Sequence, residues 1–265
     1  MTQGSVASPL DDVELAHVAE HPSRTNAASR TLAVLSAFGG SRAVLGVSEI
    51  AVRAAVPKST AHRLLAVLHE HGYVKRDGNR YRLAERVFEL GSRAFWPRGL
   101  RERAIPFMAE LHHETLEIVH LAILHDDDVV YVEKIYGHRA WPCPTTIGGR
   151  NPAHATALGK SILSYSSPET VGHVLTGHLA RPTRHTVAHP EALQKQLRVA
   201  REEGVAVEVE ECRVGLACVA APIIDRRTGE AVAALSISSP TARFDKRRFA
   251  ARLRKAADTL SQTAL

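Results

Sequence analysis

Cysteine is scarce in this sequence. There are three in 265 residues, Cys143, Cys212 and Cys218, and none is spaced as CxxC. That pattern argues against a disulfide framework and against a zinc ribbon. Long apolar runs are missing as well: no stretch approaches the roughly eighteen residues of a membrane span. The opening MTQGSVASPLDDVELAHVAE has neither the basic nor the apolar region of a signal peptide. The expectation is a reduced, soluble, cytoplasmic protein with no membrane partner. Catalytic signatures are also absent, with no HExxH and no GxSxG. Gly159-Lys160-Ser161 ends like a phosphate loop, but His154 stands where that loop needs its first glycine. His154, Cys218 and Glu208 are residue types that suit zinc, yet their spacing gives a metal site no support. No enzyme, cofactor or metal is expected.

What is present is charge, unevenly placed. The composition is ordinarily globular, with 45% hydrophobic and 23% charged residues, and the length suits two domains. The formal charge is +6 and the pI about 9.5. Residues 1–23 carry four acids and no Lys or Arg, residues 24–98 carry 13 basic and 5 acidic side chains, and residues 99–265 are nearly balanced at 21 and 19. One basic block next to a near-neutral remainder is the footprint of a polyanion-binding module.

Within that block the spacing turns helical at Ser29, with Leu32, Leu35 and Phe38 three apart and Gly39-Gly40 as the stop. Ser48 is a good N-cap for a short second helix that turns Ile50, Ala51 and Ala54 inward. Pro57 suits the first turn of a third helix, whose apolar stripe is Ala61, Leu64, Leu65 and Leu68 and which Gly72 ends. Tyr73-Val74 and Tyr81-Arg82-Leu83 flank Asp77-Gly78, a strong hairpin dipeptide. Three helices and a two-stranded hairpin make a winged helix-turn-helix.

The third helix spends its stripe on the core, so its other face is free. That face carries Lys58, Ser59, Thr60, His62 and Arg63 at the N-terminal end, the end a recognition helix pushes into the major groove. Serine and threonine suit phosphates or base edges, and Arg63 suits a guanine edge or a phosphate. Lys75, Arg76 and Arg80 of the hairpin are long enough to clamp a neighbouring phosphate strand, and Ser48 joins the same set. A competing reading makes the basic face a solvated or protein-binding surface, with His62 or Arg63 structural. Salt separates the two, because phosphate contacts weaken steeply with ionic strength.

The expected organisation is a flexible acidic tail over 1–23, the DNA-binding domain over 24–84, a linker helix over 85–98 and a second domain over 99–265. Phe88, Leu90, Phe95 and Trp96 of the linker either pair with a second copy of the chain or pack on their own. His112-His113, beside Glu114, are expected on a polar helix face. From Ile118 the period changes to that of strands: IVHLAILHDDDVVYVEKI, GVAVEVEE and ACVAAPIIDRRTGEAVAALSISS, interspersed with helices near 157–166, 167–175, 190–203 and 245–262. Hairpin strands flanked by helices argue an antiparallel α+β domain.

Three stretches, PKSTAHRLLAVLHEHGYV with its wing, GGRNPAHATALGKSIL, and GLACVAAPIIDRRTGEAVAALSISSP, resemble the IclR family of bacterial transcriptional regulators. The resemblance implies a winged helix-turn-helix joined to a GAF-like antiparallel-sheet effector domain. It implies a homodimer or homotetramer on double-stranded operator DNA, more a repressor than an activator, whose binding a small organic effector modulates, an acid or an aromatic metabolite. It places the effector at the loop His154, Ala155, Thr156, Ala157 and Leu158, facing Glu208, Leu216, Cys218, Ser236 and Ser238. Gly159 would open a helix whose N-terminus favours an anion. Leu158 narrows that cleft relative to members with small keto-acid effectors, and Glu208 replaces a common Asp. Residue by residue, Cys218 is either a ligand contact or a small buried hydrophobe. Ser236 and Ser238 share one sheet face, in the cleft or toward solvent.

Overall fold

A computed structural model describes residues 26–39, 44–92, 99–136 and 143–263, so the acidic tail and Phe95 and Trp96 of the linker lie outside the described residues. Contacts divide the chain into two compact units, Met1–Ala94 and Phe95–Leu265.

The first unit runs α1 (Ala27–Ser36), β1 (Leu45–Gly46), α2 (Val47–Arg53), α3 (Lys58–Glu70), β2 (Val74–Asp77), β3 (Arg80–Leu83) and α4 (Glu85–Gly91). Its small antiparallel sheet has the order β1-β3-β2. The α3 stripe is as expected: Ala61, Leu64, Leu65 and Leu68 are all buried, and they close on Val34, Phe38, Leu45, Ile50 and Tyr81. Three local expectations need correction. Along α1 and just past its end Val34, Ala37 and Phe38 are buried, so of the expected Leu32, Leu35 and Phe38 only Phe38 is buried, Leu35 is half-buried and Leu32 is 63% exposed, because a spacing of three drifts off a 3.6-residue face and i, i+3, i+4 does not. Ser48 is not the N-cap of α2; it sits exposed in the first turn, and the cap is Gly46, whose N–H donates to Glu49 Oε2 at 2.8 Å. The wing turns at Gly78-Asn79, since Asp77 pairs with Arg80, and Gly78 takes the left-handed corner at φ 58°.

The second unit contains α5 (Leu100–Thr115), β4 (Ile118–His125), β5 (Asp128–Ile135), β6 (Arg150–Pro152), a 3₁₀ turn (Ala153–Ala155), α6 (Ala157–Leu163), α7 (Pro168–Thr176), α8 (Pro190–Glu203), β7 (Ala206–Val209), β8 (Leu216–Ile224), β9 (Ala231–Pro240) and α9 (Lys246–Thr263). Six strands form one sheet in the order β6-β5-β4-β9-β8-β7, with every neighbour antiparallel. Alternation along the central strands gives two buried faces. Val119, Leu121, Val219, Leu235 and Ile237 meet α5 and α9 on one. Ala122, Tyr131, Leu216, Cys218 and Ala234 meet α6 and its neighbours on the other. His112 is buried rather than on a polar face, and its Nδ1–H donates to the Glu117 carbonyl at 2.8 Å, closing the end of α5. No described helix is long and apolar enough to cross a membrane.

Candidate functional site: a helix terminus and a buried polar row

In the first unit the N-terminal end of α3 is chemically open. Its N-cap is Pro57, which offers no side-chain cap, so the first-turn N–H groups point outward without one. Lys58, Ser59, His62 and Arg63 are exposed and Thr60 is half-buried. The α2–α3 turn passes through Ala55 at φ 52°, a left-handed position held by a non-glycine residue. Ser48 lines a shallow hollow together with Val52, Val56 and Lys58, which puts it beside the N-terminal end of α3.

The wing differs from a simple row of free cations. Arg80 pairs with Glu49 at 2.9 Å and Lys75 with Glu85 at 2.5 Å, while Arg76 Nε donates to the Gly78 carbonyl at 3.2 Å and has no carboxylate partner among the described residues. Arg80 therefore braces α2 against the hairpin, and of Lys75, Arg76 and Arg80 it is Arg76 that makes no ion pair among the described residues.

In the second unit the strand register brings four sequence-distant groups into line. Glu208 lies opposite Cys218, and Cys218 opposite Ser238. The Cys218 thiol donates to Ser238 Oγ at 3.0 Å, Ser238 Oγ lies 3.4 Å from His120 Nδ1, His120 Nε2 lies 2.8 Å from Thr145 Oγ1, and Thr145 Oγ1 lies 3.2 Å from Cys143 Sγ. One proton order satisfies this chain: Ser238 donates to Nδ1, and Nε2–H donates to Thr145, which requires a neutral imidazole. Burial, helped by the Lys134 ammonium, supplies it by pushing His120 down to about 3. The Cys218 thiol has one proton and also adjoins Glu208. With that proton on Ser238, Glu208 Oε1 is left buried without a donor.

Ser236 Oγ on the same face, and Ser161 Oγ on α6, are likewise buried without a hydrogen-bond partner among the described residues. Ser236 and Ser238 are thus in the interior, at 1% and 3% exposure, and not on the solvent side. Leu158, Leu216 and Cys218 belong to one apolar cluster with Ala157 and Tyr131. His154 is buried but engaged, its Nε2–H donating to the Ala180 carbonyl at 2.7 Å. Gly159 does not open a helix. It lies in the first turn of α6, and its N–H is taken by the Thr156 Oγ1 cap at 2.9 Å, so it is not free for an anion.

His120, Tyr131, Thr145 and Cys143 were not expected here. The one visible signal was a histidine inside the otherwise apolar IVHLAIL. Among the described residues no three His, Cys, Asp or Glu side chains stand close enough to share a metal ion, so His154, Cys218 and Glu208 are not a zinc set. Burial also raises the Cys212 and Cys218 thiols, Cys212 to about 12, which leaves these two protonated and poor nucleophiles.

Burial pushes Glu208 up to about 7, against the lowering pull of Cys218, the Glu211 and Cys212 N–H groups and Lys160. A carboxyl raised on folding stabilises the fold at low pH, and that stability is lost as pH rises from about 4.5 to about 7. His120 works the other way, with stability lost as pH falls from 6.5 toward 3. The two offset each other over most of that range. Glu208→Gln removes one side of the balance. Relative to the parent chain, the variant should gain roughly 3 kcal/mol between pH 4.5 and 7 in urea unfolding. Parallel pH curves for the two proteins would rule out a perturbed Glu208.

The domain model "Bacterial transcriptional regulator IclR C-terminal" matches residues 94–262, and the IclR helix-turn-helix domain model matches residues 27–78. The HTH-type transcriptional regulator KdgR of Escherichia coli (strain K12) is 36% identical over 232 residues, covering 86% of this chain and 88% of its own. The transcriptional repressor IclR of the same organism is 31% identical over 221 residues, covering 82% of this chain and 80% of its own. Among solved structures, an IclR homolog from Microbacterium hydrocarbonoxydans complexed with 4-hydroxybenzoate aligns with TM-score 0.79 at 30% identity, over 89% of this chain and 97% of its own.

Proposed function

This chain belongs to the IclR family of bacterial transcriptional regulators, and from that premise we propose which residues bind DNA, which bind the effector, and what chemistry the effector carries. The family assignment makes it a DNA-binding regulator with a C-terminal ligand-binding domain, and relatives named as repressors support repression as its action.

Lys58, Ser59, Thr60, His62 and Arg63 enter the major groove, with Ser48 alongside, and Arg76 holds a flanking phosphate. Phe88 at 78% exposure and Leu90 at 51% are exposed apolar side chains of α4 open to a second copy of the chain, and a two-fold dimer reads a palindromic operator. The protein works in the cytoplasm and binds its effector without turnover.

The effector site is the face bearing Glu208, Cys218, Ser236 and Ser238, walled by Leu158 and Leu216, with His154 fixing its edge. The observation that carries the ligand class is three buried oxygens on this face and on α6 packed against it that have no hydrogen-bond partner among the described residues: Glu208 Oε1, Ser236 Oγ and Ser161 Oγ. Buried polar atoms are rarely left unpaired. A hydroxyl both donates and accepts, so a small hydroxylated molecule suits both the carboxylate and the serine hydroxyls while its carbon frame meets the leucines. The Microbacterium relative binds 4-hydroxybenzoate, a ligand of that kind.

Fluorescence anisotropy with DNA from upstream of the protein's own gene tests the DNA half. Binding should survive competitor DNA and weaken steeply with salt. Arg76→Ala should lower affinity for operator and unrelated duplex about equally and make the salt slope shallower by about one. A change of sequence preference would mean that the wing reads bases, and salt-insensitive association would point to a protein partner instead.

A further inference from the structure

Between α7 and α8 the chain runs for thirteen residues, Gly177–His189, without helix or strand. Irregular connections this long in a compact domain are uncommon and are usually functional. This one is well fastened, chiefly to His154 and to the Glu210–Glu211 turn that follows β7. The Ala180 carbonyl accepts from His154. Thr183 Oγ1 donates to the Glu210 carbonyl at 2.6 Å, and Thr186 Oγ1 to the Glu211 carbonyl at 2.6 Å. The Val187 N–H donates to Glu211 Oε2 at 3.0 Å. Leu179 and Val187 rest on the apolar cluster that contains Leu158, Leu216 and Cys218.

Glu211 is the common point. Its other oxygen, Oε1, is ion-paired with Lys160 of α6, a side chain only 1% exposed, and its N–H donates to Glu208 Oε2 at 2.9 Å. The preceding residue, Glu210, holds a left-handed φ of 58°, and its carboxylate accepts from the Gly215 N–H at 2.7 Å. Strained backbone held by its surroundings is typical of clamps and switch segments.

We infer that Gly177–His189 is a lid over the effector face, that Glu211 with Lys160 is its latch, and that Glu208 joins ligand to latch. One oxygen of Glu208 faces the ligand and the other holds the N–H of the latch residue. A ligand hydroxyl donating to Oε1 favours the ionised carboxylate, which grips the Glu211 and Cys212 N–H groups more firmly. Ligand entry requires the lid to open, and occupancy tightens it. The assignment of the ligand rests on the proposed effector face; the existence of lid and latch does not.

The sequence supplies a probe. Arg181 is followed by proline and resists trypsin, whereas Arg184–His185 is an exposed, cleavable bond inside the lid. Lid opening is read on the full-length protein from the rate of cleavage there and from iodoacetamide labelling of buried Cys218, both followed by mass spectrometry. Lys160→Met with Glu211→Gln removes the ion pair without leaving a lone buried charge. Both rates should rise about tenfold in that variant while cleavage elsewhere stays unchanged. If every tryptic site speeds up together, Thr186→Val decides. It removes one lid hydrogen bond, and a rise of about fivefold confined to Arg184 and Cys218 supports the lid. No rise at Arg184, or a rise there with Cys218 still protected, overturns it. Operator binding measured on the same samples is a separate readout, so a failed DNA assignment and a failed lid are distinguishable.

Discussion

Arg63→Ala should cost about 1–3 kcal/mol of operator binding, a loss of up to roughly a hundredfold per reading helix, with no change in the urea midpoint. The separation of the two effects follows from the geometry of α3. Residues 61, 64, 65 and 68 are buried and carry the unit's packing, while Arg63 projects from the opposite side and has no ion-pair partner among the described residues. Removing it opens no cavity and strands no charge, which are the usual sources of large destabilisation. What it removes is a five-donor fork at the open end of a helix, suited to two acceptors on one guanine edge or to a phosphate. Competition by unrelated duplex distinguishes these uses. A loss confined to operator marks a base contact, and an equal loss on any DNA marks a phosphate contact. Unchanged operator affinity would remove α3 from the recognition role altogether.

Gly159→Ala should be the most damaging single methyl in the second unit, lowering unfolding free energy by about 3 kcal/mol. Two effects compete. Alanine is the better helix former by up to about 1 kcal/mol. Against that, a Cβ at 159 would lie 2.2 Å from the Ala153 carbonyl oxygen and 2.4 Å from its Cα. Those are backbone atoms of the 3₁₀ turn and cannot rotate aside, so α6 must move. Moving it pulls on the Thr156 cap and on the Lys160–Glu211 pair, both within one turn of the substitution. The glycine of Gly-Lys-Ser is therefore there for close backbone approach, and the lysine for the ion pair with Glu211. Urea unfolding checks this, and a loss below about 1 kcal/mol would show that the contact relaxes easily.

The legible parts of the fold were those written in local periodicity. The α3 stripe, the wing, the hairpins β4–β5 and β8–β9 and the helices over 168–176 and 190–203 all follow from spacing within a dozen residues. The three-residue β6 has no period to detect. The cap of α2 depends on Glu49 reaching back to a glycine N–H, so Ser48, the better capping residue by type, misled. The site was half legible. Alternation put Ser236 and Ser238 on one face, but only the register of β9 against β4 and β8 shows that face to be interior. His120 stands 25 residues from Thr145 and 118 from Ser238, its two partners in the row, separations that no window of spacing contains. The tie between Lys160 and Glu211, 51 residues apart, is of the same kind.

A single oxygen of Glu49 receives both the Gly46 N–H that starts α2 and the guanidinium of Arg80 in the wing. The start of α2 and the wing are thus tied to one point, and on the proposed reading, in which α3 follows α2 across a short turn and meets the base edges, the spacing between those edges and the phosphate held by the wing is set inside the protein. Operators for this regulator should then tolerate variation in the spacer that separates two half-sites far better than any insertion within a half-site.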